Sequence, residues 1–231
     1  MSASWSLYVS IIFIISLLWY VYVSRTIDNI HFFVPMTYRQ IAHLRKYFRE
    51  IQREAYICAI GAPISEVIRQ YDQWVHADIE MHTFRDADGW IQTQPEDSGV
   101  PDPKWLNYGI MFKGVLFAKN AIRCPIMAYL AQEMRTYINV CGFSLLRGQS
   151  TIDWHTDRTG LQDNSLAYHL GLIVPSKKCT LYVGNKHMRE KEGRVIIFDS
   201  NIRHSAINTS NLDRIILYID FSITPRHLCT I

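Results

Sequence analysis

The sequence predicts a mainly β fold of the sandwich or jelly-roll type, with flanking helices and a transmembrane helix at the N-terminus. Three observations carry this. Short strands punctuated by turns fill the chain after residue 136, the helical periodicities all precede it, and no charged side chain appears before Arg25. Several short strands at such spacing favour a sandwich or jelly roll. Helices grouped ahead of strands exclude the alternation that builds a parallel sheet. The organisation that follows is an anchor at 1–24, a linker at 25–35 and one domain at 36–231. Within the domain, 36–136 is a helical and loop support region and 137–222 the β core.

From Trp5 to Val23 the chain is apolar apart from Ser6, Ser10 and Ser16, whose hydroxyls a helix in lipid satisfies on its own backbone. Nineteen residues in a helix span about 28 Å, close to the hydrocarbon thickness. Trp5 and Tyr8 near one end, and Trp19, Tyr20 and Tyr22 near the other, form aromatic belts. A cleaved signal peptide would need a basic start and a small-x-small cleavage site, and neither is present. Arg25, Arg39, Arg45 and Lys46 all follow the span, so the positive-inside bias makes the protein single-pass with its globular part cytoplasmic. The sequon Asn208-Thr209-Ser210 lies just after His204 and lends no support to a lumenal domain.

With 231 residues, 48% of them hydrophobic, the chain can bury one sizeable core. A net charge of +3 with no basic run beyond the Arg45-Lys46 neighbourhood is too small to argue for nucleic acid, so none is expected as a partner. Cys58, Cys124, Cys141, Cys179 and Cys229 form no C-x-x-C and read as reduced core thiols.

Ile41, Leu44, Phe48, Ile51 and Tyr56 recur at helical spacing over 37–59, and Val67, Ile68, Tyr71 and Val75 suggest a second helix. Residues 83–107, rich in Gly, Pro and Asp, read as a long irregular loop, either a substrate-side flap or a surface excursion. A third helix begins near Pro125, a residue suited to a first turn, and turns Met127, Leu130 and Met134 inward. Strands follow at 138–147, 165–174, 179–184, 193–198, 203–208 and 213–222, separated by turn residues such as Gly148, Gly160, Pro175, Gly184 and Gly193.

The chemistry-bearing pattern is His155-x-Asp157 followed by His204. Two imidazoles and a carboxylate can hold one face of an iron(II) ion and leave the other open. The pair alone is weak, because this composition yields about 0.8 H-x-[D/E] by chance. A second copy, His76-Ala77-Asp78, falls on or near a helix, where residues two apart do not share a face. His155 and Asp157 instead follow a strand and the Gly148-Gln149 turn, and in extended chain i and i+2 point the same way. His204 would be the first inward position of another strand, arriving from across a barrel. The bland alternative is three unrelated surface residues.

Strand parity favours the site. Leu166, Tyr168, Leu170, Leu172 and Val174 form one greasy face, while Ser165, Ala167, His169 and Gly171 form the other. Ile215, Leu217, Ile219 and Phe221 likewise pack, leaving Arg214, Ile216 and Tyr218 on the opposite face. An Arg aimed into a barrel lumen needs an anion. A dicarboxylate co-substrate would supply one in the fork geometry Arg suits, and a surface acid such as Asp213 is the alternative.

The runs H-T-D-R-T-G, S-L-A-Y-H-L-G-L-I-V-P and E-G-R-V-I-I-F-D-S-N-I-R-H-S-A-I-N-T-S-N-L-D-R-I-I-L-Y-I-D-F, over about 123–222, resemble the aspartyl/asparaginyl β-hydroxylase family. The resemblance implies a double-stranded β-helix (a cupin-like jelly roll) and a dioxygenase dependent on iron(II), 2-oxoglutarate and O2. It implies His155 and His204 as iron ligands, joined by Asp157, and Arg214 on the distal carboxylate of 2-oxoglutarate, with Ser144 and His169 at the other co-substrate positions. Two departures stand out. The animal peptide hydroxylases carry Gly at Asp157, whereas the lipid A hydroxylases carry H-x-D. Ala167 stands where the family usually places an Arg. The implied activity is hydroxylation of an aspartyl or asparaginyl side chain. The alternatives are an acyl chain in a membrane lipid, or a catalytically inactive membrane-tethered binding module.

Overall fold

A computed structural model describes residues 32–33, 39–63, 88–93, 102–157 and 165–224. The chain divides into two units, Met1–His31 and Phe32–Ile231, and the described residues belong to the second. The expected membrane helix at Trp5–Val23, the second helix at 65–75 and the His76/Asp78 pair lie outside the described residues. Among those described, no helix is long and apolar enough to cross a membrane.

The first helical stretch is a short α-helix at Arg39–Ala42, a 3-10 segment at His43–Tyr47 and an α-helix at Phe48–Gly61. Its inward stripe is Ile41, Leu44, Ile51, Ala55 and Cys58, all buried. Tyr56 faces solvent instead, displaced from the stripe by Ala55 and Cys58. The helix at Pro125–Glu133 has Pro in its first turn and buries Met127 and Leu130, with Met134 buried just beyond. Its first free N–H groups are capped from a distance: Glu54 accepts from Ile126 N at 2.7 Å and Met127 N at 3.0 Å. The helix at Ala118–Arg123 escapes sequence periodicity because its buried residue is polar. Asn120 donates to Gly109 O and accepts from Gly89 N, tying three segments together.

Residues 83–107 are not one loop. They contain β2 (Ile91–Thr93) and the start of β3 (Asp102–Phe112), an eleven-residue strand. Pro103 misleads because it lies outside the stretch of β3 that pairs with β5 (Ile138–Leu146), which begins at the Trp105–Leu146 pair. The remaining strands are β1 (Phe32–Phe33), β4 (Val115–Leu116), β6 (Ser150–His155), β7 (Ser165–Ile173), β8 (Cys179–Val183), β9 (Lys186–Arg189), β10 (Val195–Phe198), β11 (His204–Asn208) and β12 (Arg214–Ser222).

Two antiparallel sheets result. The larger has the order β1-β10-β7-β12-β5-β3-β2 with β4 on β3, and the smaller β6-β11-β8-β9. The pairings β5 with β12, β6 with β11, β7 with β10 and β8 with β9 are those of one long antiparallel ribbon. Successive pairs alternate between the sheets, so the ribbon is wound as a jelly roll.

The larger sheet has two different faces. Cross-strand partners share a side, and the row Leu106, Leu145, Ile215 and the row Tyr108, Phe143, Leu217, Leu170 pack into the core beneath the helices. The other side carries Trp105, Leu146 and Arg214, then Ser144 and Ile216, then Tyr218 and His169, and faces the smaller sheet. The parity expected for β7 and β12 is therefore present. Gln52 of the long helix donates to Leu172 O at 2.6 Å, pinning the helical layer to β7.

Cys58, Cys124, Cys141 and Cys179 are free and buried, while Cys229 lies outside the described residues. The fold encloses the sequon asparagine. Asn208 is fully buried and its amide donates to Leu146 O, Arg147 O and Leu212 O.

Candidate metal centre and the buried ion pair beside it

His155 ends β6, and His204 begins β11 as its partner across the ladder. The expected arrival from across the barrel is thus corrected: the two histidines are neighbours in one sheet. Their strands are joined by the ribbon winding, which sequence spacing does not display. Asp157 follows just past β6, where its backbone N–H donates to Ser200 O at 3.1 Å.

The three side chains converge. His155 Nε2 lies 3.4 Å and His204 Nε2 3.5 Å from Asp157 Oδ1. One ligand atom from each residue lies within 4.8 Å of the others. The other ring nitrogens are also held: His155 Nδ1 is 2.7 Å from Asp153 O and His204 Nδ1 2.9 Å from Ile202 O. A carbonyl can only accept, so each Nδ1 carries a proton and each Nε2 is turned toward Asp157. Tyr218 donates its hydroxyl to Asp157 Oδ2 at 2.8 Å, fixing the carboxylate from the larger sheet. Burial works to raise the Asp157 pKa, but the His204 and His155 imidazoles outweigh it and hold the carboxyl well below its usual range. Two imidazoles fixed through Nδ1 and one carboxylate are the donor set that suits iron(II). His204 is nearly enclosed while His155 and Asp157 remain partly open, which leaves one side of the set accessible.

Arg214 heads β12 and is 1% exposed. The anion it requires comes from the chain itself. Glu190, 2% exposed, accepts from Arg214 Nε at 2.8 Å and Nη2 at 2.7 Å in a two-pronged fork. Asp213, the acid suggested by adjacency, pairs instead with Arg147 at 2.5 Å. Glu190 follows β9, and its N–H donates to Cys179 O. The next turn is drawn onto β7 by bonds from Gly171 N to Arg194 O and from Gly193 N to Gly171 O. A Cβ on Gly171 would sit 2.2 Å from Lys191 O, so only glycine lets this segment approach. Burial raises the Glu190 pKa, but Arg214 and then His169 more than offset it and bring it down to about 2.

His169 is buried, with Nδ1 3.5 Å from Glu190 Oε1, and its ring meets Phe198 and Tyr218 edge-on. Burial lowers its pKa despite the carboxylate beside it. Ser144 is buried one cross-strand row from Arg214, and its hydroxyl accepts from Trp105 Nε1 at 3.1 Å. The Trp105 ring lies 5.2 Å from that of His155. His155, Asp157 and His204 are thus brought together, His169 and Arg214 meet through Glu190, and Ser144 lines the same interior. Sequence reasoning missed Glu190, Tyr218 as a partner of Asp157, and Trp105.

His155, Asp157 and His204 could hold an iron ion. The anion site does not offer Arg214 to an incoming carboxylate as it stands, because Glu190 fills the fork.

Residues 69–223 match the family model described as aspartyl/asparaginyl beta-hydroxylase. Among similar curated proteins, an ornithine lipid ester-linked acyl 2-hydroxylase of Rhizobium tropici is 28% identical over 62% of this chain and 48% of its own length. Aspartate beta-hydroxylase domain-containing protein 2 of Homo sapiens is 27% identical over 53% of this chain and 34% of its own. The chain thus spans about half or less of these relatives. A solved oxidoreductase of the 2OG-Fe(II) oxygenase family from Burkholderia pseudomallei is 15% identical, covers 77% of this chain and 92% of its own, and has a TM-score of 0.46. With the match extending from before β2 through the last strand of the jelly roll, this chain belongs to the aspartyl/asparaginyl β-hydroxylase family.

Proposed function

We propose that the chain is an iron(II)-dependent dioxygenase that inserts hydroxyl at an unactivated C–H bond with a 2-oxo acid as co-substrate. The observation that carries this reading is the convergence of His155 Nε2, His204 Nε2 and Asp157, with both Nδ1 protons committed to backbone carbonyls. In the 2-oxoglutarate form implied by the sequence motifs, the bound iron would support conversion of 2-oxoglutarate and O2 to succinate and CO2, one oxygen atom entering the substrate. The chain's own residues hold the metal, fix Asp157 through Tyr218 and line the co-substrate side with Ser144, His169 and Arg214. Phe198, Ile196 and Ala167 keep that side dry.

The preferred substrate is an aspartyl or asparaginyl side chain, from the family to which the chain belongs. A lipid acyl chain is the second reading, favoured by the ornithine lipid acyl 2-hydroxylase relative and by the apolar run Trp5–Val23. That run is proposed, on sequence alone, as a single-pass anchor with the catalytic unit on the cytoplasmic side. An inactive binding module is the reading that Ala167 favours.

Purified protein should bind about one iron and decarboxylate a 2-oxo acid aerobically, with both properties lost in His155→Ala. Protein that takes up no iron would overturn the proposal. Mass spectrometry of peptide and lipid pools for one added oxygen separates the two substrate classes, and protease protection of sealed membranes checks the anchor.

A further inference from the structure

We infer that Glu190 sets co-substrate specificity by occupying Arg214, so that the site disfavours a 2-oxo acid with a distal carboxylate and takes one whose distal end is uncharged. The inference rests on reading the triad as an oxygenase site that uses a 2-oxo acid.

The argument is one of charge and donors. Arg214 is the only buried Lys or Arg among the described residues. Two of its three nitrogens are spent on Glu190, and the third, Nη1, is buried with no hydrogen-bond partner. His169 lies beside the pair, and its Nδ1, 3.5 Å from Glu190 Oε1, also lacks a hydrogen-bond partner. Arg214 and Glu190 thus match each other's charge, yet this end of the interior retains polar atoms that need partners. A second carboxylate entering here would be a buried charge with no cation left to meet it, which is the costly case. A neutral acceptor, such as a hydroxyl or carbonyl, could accept a hydrogen bond from Nη1 at no such penalty. Ala167, on the same face as His169, supplies no substitute cation.

Glu190 is not held there by accident of a long surface side chain. The backbone on both sides is tied down, by Glu190 N to Cys179 O and by the two bonds between Gly171 and the Gly193-Arg194 turn. Gly171 allows this approach, and any larger residue would push the Lys191 carbonyl away. A dicarboxylate gains Arg214 only by displacing Glu190, which is itself 2% exposed.

The test is binding, not turnover. The full protein is loaded anaerobically with Mn(II), and 2-oxoglutarate and 2-oxobutyrate are titrated calorimetrically. Wild type is expected to bind 2-oxoglutarate no more tightly than 2-oxobutyrate. In Glu190→Gln the uncompensated Arg214 should improve 2-oxoglutarate relative to 2-oxobutyrate at least about tenfold, and 2-oxoglutarate should raise that variant's melting temperature more than 2-oxobutyrate does. Wild type that prefers 2-oxoglutarate tenfold or more overturns the inference even if the variant does not fold, and so does a variant with unchanged preference. Metal content separates the two levels. Protein that binds no metal sinks the oxygenase reading and this inference together, whereas metal-loaded protein that prefers 2-oxoglutarate sinks this inference alone.

Discussion

The interior between the two sheets holds two polar clusters that solve opposite problems. At the triad, three donors converge while each is braced from behind by Asp153 O, Ile202 O or Tyr218. At the other cluster, the fork of Arg214 is filled by Glu190, so charge is matched internally. The first arrangement holds electron pairs ready for a cation from outside. The second consumes its own. Between them stands His169, touching Tyr218 on one side and Glu190 on the other. The difference teaches that a polar residue on a barrel's inner face need not be a ligand site: what matters is whether its partner is already in the chain.

Ligand removal should break the comparison most severely. His204→Ala or Asp157→Ala is expected to abolish metal binding and lower turnover more than about 100-fold, beyond the range typical of residues that merely brace a ligand. The melting temperature of the metal-free protein should change little, since the triad gains stability from its ion. Metal analysis and thermal denaturation together check this. A triad variant that retains stoichiometric iron would show that the convergence is not a metal site.

The ion pair should behave in the reverse way. Removing one partner, as in Arg214→Met or Glu190→Met, leaves an uncompensated buried charge and should cost about 3–5 kcal/mol. The double variant, with both charges gone, should recover most of that loss. Denaturant unfolding of the two single variants and the double variant measures it. If the singles are each within about 1 kcal/mol of wild type, the pair is solvated and the contrast with the triad dissolves.

Acid sharpens the same contrast. Glu190 has a folded pKa near 2, below its unfolded value. The stability it contributes is therefore fully present above about pH 4.3 and drains away as pH falls toward 2. Wild type should lose stability over that window, and the double variant should lose less. Equal acid sensitivity in both proteins would show that other carboxylates dominate.

How much of this was legible in the sequence depended on whether the information was local. The parity of 165–174 is a property of neighbours in the chain, and it placed His169 and the apolar Leu166, Tyr168 and Leu170 on their correct faces. The triad was legible as three residue types on extended chain. That His155 and His204 are cross-strand partners was not, because register between β6 and β11 is set by the winding of the whole ribbon. Glu190 was hidden for a different reason. It sits in the run Arg189-Glu190-Lys191-Glu192, which reads as a solvated charged turn. The available clue was indirect: a buried Arg214 demanded an anion, and the candidates weighed were an outside ligand and the adjacent Asp213. The close approach that delivers Glu190 is recorded at Gly171, two residues past His169 on another strand. The β3 strand was missed because Pro103 and the acidic residues around it outweighed the Trp105–Phe112 run that the larger sheet actually pairs.

The gentlest way to probe the comparison is Tyr218→Phe. The hydroxyl lost is the one that donates to Asp157 Oδ2 at 2.8 Å, from a strand that also carries Arg214 four residues earlier. The ring remains to pack against His169, so shape is conserved. What changes is the carboxylate: one oxygen is no longer oriented, and its electron density is no longer shared with a donor. A hydrogen bond to an ionised group contributes about 1.5–3 kcal/mol, and the loss of an outer brace typically weakens metal affinity about 10–100-fold. The expected outcome is metal binding weakened about tenfold, with the 2-oxobutyrate to 2-oxoglutarate preference unchanged, because Glu190 and Arg214 are untouched. Metal titration and the calorimetric ligand series on one preparation read both quantities. A shift in ligand preference without a change in metal affinity would mean that the two clusters are one coupled network through His169, and that the division between them is wrong.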